Sequence, residues 1–120
     1  MSYATYNNLG NTGSETPVLN RIVDINSAEQ KHNILANNEI VVIDYHATWC
    51  APCKAIAPMY QALANRHEDV LFCKEDVDNQ ITDNIRGVPA FHVYKNNELV
   101  FTAVGGGKLG DVENKISELK

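Results

Sequence analysis

Two cysteines separated by two residues, Cys50 and Cys53, are the side chains with the clearest chemical potential. They follow an apolar, β-branched run and open a segment with helical periodicity, which predicts Cys50 at a helix N-terminus. Unpaired backbone N–H groups and the helix dipole stabilise a thiolate there, and the thiolate is the reactive form of cysteine. Cys53 follows one helical turn later, within reach of a disulfide formed on Cys50. Pro52 suits the first helical turn. The pattern predicts thiol–disulfide exchange.

Two other interpretations of the pair are weaker. A zinc site would need a second ligand pair, but no further C-x-x-C or H-x-x-x-H motif follows, and the four histidines lie on separate predicted elements. A pair of inert core cysteines would fill an apolar stripe rather than begin a helix. We therefore expect no metal site. The third cysteine, Cys73, lies in mid-strand and is expected to be a core residue.

The bulk properties exclude several function classes. With 120 residues, the chain has the length of one domain. Its net charge is −5 and its basic residues are scattered, so it shows no footprint for nucleic acid or an anionic membrane. No apolar run is long enough for a membrane span. Residues 1–20 contain no Lys or Arg and no apolar segment, unlike a leader peptide. We expect a cytoplasmic protein with a flexible tail over 1–20 and one domain over 21–120.

Strand and helix patterns alternate after residue 20. Apolar β-branched runs predict strands at 21–25, 40–45 and 70–77, and Asn96-Asn97 predicts a turn between strands 90–95 and 99–104. Ser27 and Gln30 form a capping box that begins a first helix. The second helix begins at the cysteines, and a third carries Val112, Ile116 and Leu119. This order predicts an α/β domain with a mixed sheet between helices.

Five sequence blocks resemble the thioredoxin family. The stretch 41–54 is similar to the family's active-site strand and turn, and the blocks 76–78, 85–89, 95–97 and 104–105 follow in the family's order. The resemblance covers about 21–120 and implies a thioredoxin-like fold, with a central mixed sheet of about five strands flanked by helices. Only six residues separate Asp78 from Ile85. We therefore expect the family's third helix to be shortened to a single turn or an irregular link.

The resemblance also assigns roles to the redox site. It makes Cys50 the exposed nucleophile, Cys53 the buried resolving cysteine, Asp44 a buried proton relay and Lys74 a tuning residue beside it. An Asp in an apolar strand is costly to bury unless it is satisfied, which favours a special role, although a strand-end Asp in water is the alternative. We expect burial to raise the pKa of Asp44 by more than Lys74 lowers it.

The implied activity is the reduction of disulfides in target proteins. Targets would dock on a surface formed by Trp49, Ala51, Pro52, Val88, Pro89 (in a cis peptide bond) and Gly105. Electrons would come from an NADPH-dependent thioredoxin reductase, and the protein would be a monomer without a bound cofactor. Two alternatives remain open: a disulfide oxidase or isomerase, and a protein-binding scaffold with incidental thiols.

Four residues depart from the family pattern. Ala51 replaces the usual glycine between the cysteines. His46 lies four residues before Cys50, where its charge either tunes the thiolate or faces solvent. Glu75 and His92 interrupt strands that are otherwise apolar at their positions, so each is either buried and paired or near an edge.

Overall fold

The computed structural model describes residues 20–120, so the predicted tail lies, apart from Asn20, outside the described residues. The elements follow the predicted order. They are β1 (Ile22–Ile25), α1 (Ala28–Asn37), β2 (Ile40–His46), α2 (Ala51–Arg66), β3 (Leu71–Asp76), β4 (Ala90–Lys95), β5 (Glu98–Val104) and α3 (Leu109–Leu119). Short 3-10 turns occupy Val77–Asn79 and Gly106–Lys108. No helix within residues 20–120 is long and apolar enough to cross a membrane.

The five strands form one mixed sheet in the order β1-β3-β2-β4-β5. Strand β3 is parallel to β1 and to β2, whereas β4 is antiparallel to both β2 and β5. Asn96 and Asn97 close the β4–β5 turn with φ angles of 52° and 68°, a conformation that asparagine tolerates better than most residues. The expected α/β class, mixed sheet and hairpin are confirmed.

Successive side chains of the central strand β2 alternate between two apolar layers. Ile40 and Val42 pack with residues of α2 and α3, including Ile56, Tyr60, Val112 and Ile116. On the opposite face, Val41, Ile43 and Tyr45 pack with Ile25, Leu35, Cys73 and Ala90. Asp44 follows Val42 by two residues on the same strand, so it lies on the same face of the sheet, the one that packs against α2.

The connection between β3 and β4, here called the link (residues 77–89), contains no long helix. After one 3-10 turn at Val77–Asn79 the chain is irregular, and Gln80 and Asn84 adopt positive φ angles. The shortened third helix is confirmed. Apolar side chains of the link, namely Val77, Ile81, Ile85 and Val88, pack on the α1 face of the sheet in its place.

The start of α1 differs slightly from a capping box. Ser27 Oγ accepts a hydrogen bond from Gln30 N at 3.1 Å, as expected. The Gln30 side chain, however, accepts from the N–H of Asn26, one residue before the cap, at 2.6 Å. Both bonds fix the entry of the chain into α1, the helix that carries Lys31.

Candidate active site

Cys50 is the N-cap residue of α2, as the sequence predicts. Its backbone is extended (φ −94°, ψ 106°), and its N–H donates to Ala47 O at 3.1 Å, closing the turn after β2. The sulfur of Cys50 accepts from the N–H of Cys53 at 3.2 Å, which uses one of the unpaired donors of the helix start. The two cysteines form a disulfide with their Cα atoms 5.3 Å apart. This is the oxidised state of a dithiol.

The two cysteines do not differ in exposure in the expected way. Cys50 is 4% exposed and Cys53 is 6% exposed, and both pack with Ala47, Val77 and Val88. The expectation of an exposed Cys50 is therefore wrong for the disulfide form. The sulfur of Cys50 turns inward to its partner and lies 3.7 Å from Val88 O, so the link covers it. Position at the helix cap, rather than exposure, distinguishes the two cysteines.

Asp44 lies in the cleft beside Cys53. Asp44 is 6% exposed, and its Oδ1 atom has no hydrogen-bond partner among residues 20–120. The cleft has a volume of about 400 Å³, and its lining includes Asp44, His46, Thr48, Cys53, Lys54 and Lys74. Burial raises the pKa of Asp44 to about 7, while the charge of Lys74 lowers it. The direction agrees with the sequence-based expectation.

Lys74 lies opposite Asp44 in the β2–β3 register. Its ammonium group is 3.8 Å from Asp24 Oδ1, and its side chain is 44% exposed. It therefore acts on Asp44 through charge and not through a close ion pair, which explains why burial dominates.

His46 is half-buried on the lining of the same cleft. Burial, and secondarily the charge of Lys74, lower its pKa, whereas Asp76 and Asp24 act in the opposite direction. Of the two sequence interpretations, a ring facing only solvent does not fit this position.

Four residues surround the disulfide and form what we call the docking rim: Trp49, Val88, Pro89 and Gly105. The Val88–Pro89 peptide bond is cis, as the resemblance implied. Gly105 donates its N–H to Pro89 O at 2.8 Å, and its φ of +118° is one that side-chain-bearing residues rarely adopt. Ala51 and Pro52 are exposed beside Cys50.

Trp49 is 68% exposed, and its Nε1 donates to Asp78 Oδ2 at 3.1 Å. Asp78 in turn receives support from Asp76, whose Oδ1 accepts from the Asp78 N–H at 2.9 Å. No sequence motif by itself predicted a role for Asp78. Its position in the 76–78 block of the resemblance was the available signal.

Comparison with known proteins agrees with this geometry. The sequence model of the thioredoxin family matches residues 21–118. The chain belongs to the thioredoxin family. It is 39% identical over 85 residues to thioredoxin 1 of Plasmodium falciparum, covering 68% of this chain and 82% of that protein. It is 35% identical over 89 residues to thioredoxin-1 of Schizosaccharomyces pombe, covering 70% and 85%. Among solved structures, mitochondrial thioredoxin 3 of Saccharomyces cerevisiae superimposes with a TM-score of 0.76 at 30% identity, covering 82% of this chain and 95% of the other.

Membership of the thioredoxin family, together with the Cys50–Cys53 pair, makes the chain a thiol–disulfide oxidoreductase that acts as a disulfide reductase. The redox-active group is the disulfide itself. In the part of the chain that the structure covers, no three His, Cys, Asp or Glu side chains converge on a point where a metal ion would be held.

The other two polar residues that depart from the family pattern, Glu75 and His92, lie on the α1 face of the sheet, away from the disulfide. Glu75 is 1% exposed and is paired with Lys31, whose Nζ lies 3.3 Å from Glu75 Oε1. Lys31 also donates to Tyr45 Oη at 2.9 Å and to Thr82 Oγ1 in the link. His92 is half-buried with its ring 4.7 Å from that of Tyr45. Cys73 is a buried free thiol whose pKa burial raises to about 12, in agreement with the core position expected for it.

Proposed function

We propose that this protein reduces disulfides in target proteins with Cys50 as the attacking and Cys53 as the resolving cysteine. The observation that carries this assignment is the hydrogen bond from the Cys53 N–H to Cys50 Sγ at the start of α2. That donor and the helix dipole stabilise negative charge on Cys50 and favour its thiolate at neutral pH.

The reaction transfers two electrons. The Cys50 thiolate attacks one sulfur of the target disulfide, forming a Cys50–target bond and releasing the other target sulfur as a thiolate that takes a proton from solvent. Cys53 then loses its proton and attacks Cys50 Sγ. The Cys50–Cys53 disulfide forms, and the second target sulfur leaves and is protonated. The target gains two electrons and two protons, and the dithiol loses them.

Asp44 is proposed to take the proton of Cys53 in the second step. Both side chains line the same cleft, and a carboxyl group with a pKa of about 7 can bind and release a proton at neutral pH. Lys74 would tune this group, since its positive charge favours the carboxylate.

Targets are proposed to bind on the docking rim together with Ala51 and Pro52. Trp49 offers an exposed aromatic surface, and Val88 adds apolar area beside the sulfur atoms.

Electrons would be returned to the disulfide by a thioredoxin reductase that uses NADPH, a proposal supported by the similarity to thioredoxins. We further propose a cytoplasmic monomer without a bound cofactor, since the dithiol must be kept reduced and an isolated pair is not a secreted disulfide framework.

An insulin-disulfide reduction assay, run with and without a thioredoxin reductase and NADPH, tests the activity. We expect turnover only when the reductant is present. A Cys53→Ser variant tests the roles of the cysteines, because it should accumulate stable mixed disulfides through Cys50, whereas Cys50→Ser should not. If Cys50→Ser traps targets equally well, the two roles are reversed. If the protein does not accelerate insulin reduction beyond the rate with dithiothreitol alone, the proposed function is rejected.

A further inference from the structure

The ion pairs of the molecule leave a particular set of cations free. The sequence contains ten Lys and Arg residues, all within the described part of the chain. Six of them pair with a carboxylate: Lys31, Arg66, Lys74, Lys95, Lys115 and Lys120. Arg21 donates to the Glu68 carbonyl oxygen at 3.4 Å. Within residues 20–120, the side chains of Lys54, Arg86 and Lys108 have neither an ion pair nor a hydrogen bond.

These three cations, which we call the free cations, all lie beside the redox site. Lys54 lines the cleft that contains Cys53. A methyl group placed on Gly105 would lie 4.0 Å from Lys108 Cγ, so the stem of that lysine lies beside Gly105 of the docking rim. Arg86 lines a groove of about 230 Å³ together with Val104, an exposed apolar residue next to Gly105. Because the chain has a net charge of −5, an overall basic surface does not explain this grouping.

The carboxylates of the site are arranged differently. Asp76 and Asp78 lie on the Trp49 side, where they are engaged through the two hydrogen bonds described above. Asp83 and Asp111 each lie three residues from a free cation in the sequence, but neither forms an ion pair with it. The exposed charges around the disulfide are therefore divided, with the carboxylates of Asp76 and Asp78 beside Trp49 and the free cations beside Cys53, Val104 and Gly105. Asp44, which also borders Cys53, is buried.

We propose that the preferred targets carry Asp or Glu side chains next to the reactive disulfide, on the side that faces the free cations. This inference rests on the proposed function and specifies the class of its substrates. Exposed charges of opposite sign speed the encounter and fix the orientation of the two partners more than they strengthen the final contact. Asp76 and Asp78 repel a carboxylate on the Trp49 side, so the acidic flank of a target can face only one way.

Three synthetic peptides with the same disulfide ring test the proposal, flanked on one side by Glu, Gln or Lys. At low ionic strength we expect kcat/KM to fall in the order Glu, Gln, Lys, with the Glu peptide about tenfold faster than the Lys peptide, since exposed charge pairs contribute roughly two- to fivefold each. In 0.5 M NaCl the ratio should shrink to about twofold, because the screening length falls to about 4 Å.

Variants connect this preference to the free cations. Arg86→Gln combined with Lys108→Gln should lower the Glu-to-Lys ratio to about threefold. The matched control for each single substitution is Arg21→Gln, which also removes one positive charge, from a cation bound to a carbonyl near the other end of α2, and it should keep the wild-type ratio. Equal rates on the three peptides, or a ratio that the double variant leaves unchanged, would overturn the inference while leaving the proposed function intact. If the wild type reduces none of the peptides, not even the Gln peptide, the proposed function itself fails.

Discussion

Two acidic residues on neighbouring strands are buried on opposite faces of the same sheet. Asp44 on β2 faces α2, and Glu75 on β3 lies on the α1 face, paired in the strand register with the residue after Asp44. Both are almost fully withdrawn from solvent, at 6% and 1% exposure. Burial alone does not distinguish the two acids, but only Asp44 lines the cleft that contains Cys53.

The difference lies in the nearest cation and in access to a cleft. Glu75 is compensated by Lys31, whose ammonium group also holds Tyr45 and the link residue Thr82. Asp44 forms no ion pair within residues 20–120, and it borders the cleft that contains Cys53. An uncompensated carboxyl group whose pKa is about 7 can exchange protons at neutral pH. The two acids thus differ in the two features that let a buried carboxyl group exchange protons with a neighbour, an open approach and the lack of a fixed counter-charge.

Removing the counter-charge of Glu75 should give the largest effect. Lys31→Met leaves a buried carboxylate uncompensated and releases Tyr45 and Thr82, so we expect the free energy of unfolding to fall by about 3–5 kcal/mol. Urea denaturation followed by circular dichroism at pH 7 measures it. The double variant Lys31→Met/Glu75→Gln should recover much of this loss, because the charge has been removed. A loss below about 1 kcal/mol in Lys31→Met would mean that the ion pair contributes no more than an exposed one.

Replacing Asp44 should change the free energy of unfolding in the opposite direction. Its pKa rises from 3.8 to about 7 on folding, so the folded state binds the proton more tightly. The contribution of Asp44 to stability is therefore greatest below about pH 4, falls as the pH rises towards 7 and then levels off. At pH 8 the charged form costs up to about 4 kcal/mol, and Asp44→Asn should be more stable than the wild type. Unfolding curves at pH 4 and pH 8 measure this, and the gain should disappear at pH 4. A variant that is less stable than the wild type at pH 8 would mean that Asp44 is a structural hydrogen-bonding residue.

The same substitution should slow the resolving step. If Asp44 takes the proton of Cys53 as proposed, its removal should slow decay of the Cys50 mixed disulfide at pH 7 by about ten- to a hundredfold. Rapid-quench analysis of a mixed disulfide with a small thiol measures this rate. Glu75→Gln is the matched control, because it removes the other buried carboxylate from the face that lacks the disulfide, and it should leave the rate within about twofold. Equal slowing in both variants would contradict the distinction between the two acids.

Most of the fold follows from local sequence patterns. The β-branched runs, the asparagine pair of the hairpin and the Ser27 cap each act over a few residues, and all of them predicted the elements correctly. The short spacing between Asp78 and Ile85 excluded a long helix on length alone. The family resemblance supplied what local patterns do not carry, above all the cis bond before Pro89.

The contacts that the sequence did not predict are non-local. Glu75 stood out as a polar interruption, but its partner Lys31 lies on a different element, and no periodicity connects the two. The Trp49–Asp78 hydrogen bond joins residues 29 positions apart. The burial of Cys50 depends on how the link folds over the disulfide, which its motif does not specify.

A third acid, Asp78, extends the comparison to an exposed carboxylate and should give the smallest effect. It holds the ring of Trp49 by one hydrogen bond at the surface, and such a bond contributes about 0.5–1.5 kcal/mol. Asp78→Ala should therefore raise the KM for a neutral peptide disulfide by about two- to tenfold and lower the fluorescence anisotropy of Trp49, with little change in stability. Asp78→Asn separates the bond from the charge, since its amide oxygen still accepts from Nε1. If the Asn variant keeps the wild-type KM on the neutral peptide, orientation of the ring is the function of Asp78. If Asn and Ala raise KM equally, the charge rather than the hydrogen bond matters, and the exposed acid would act on targets directly.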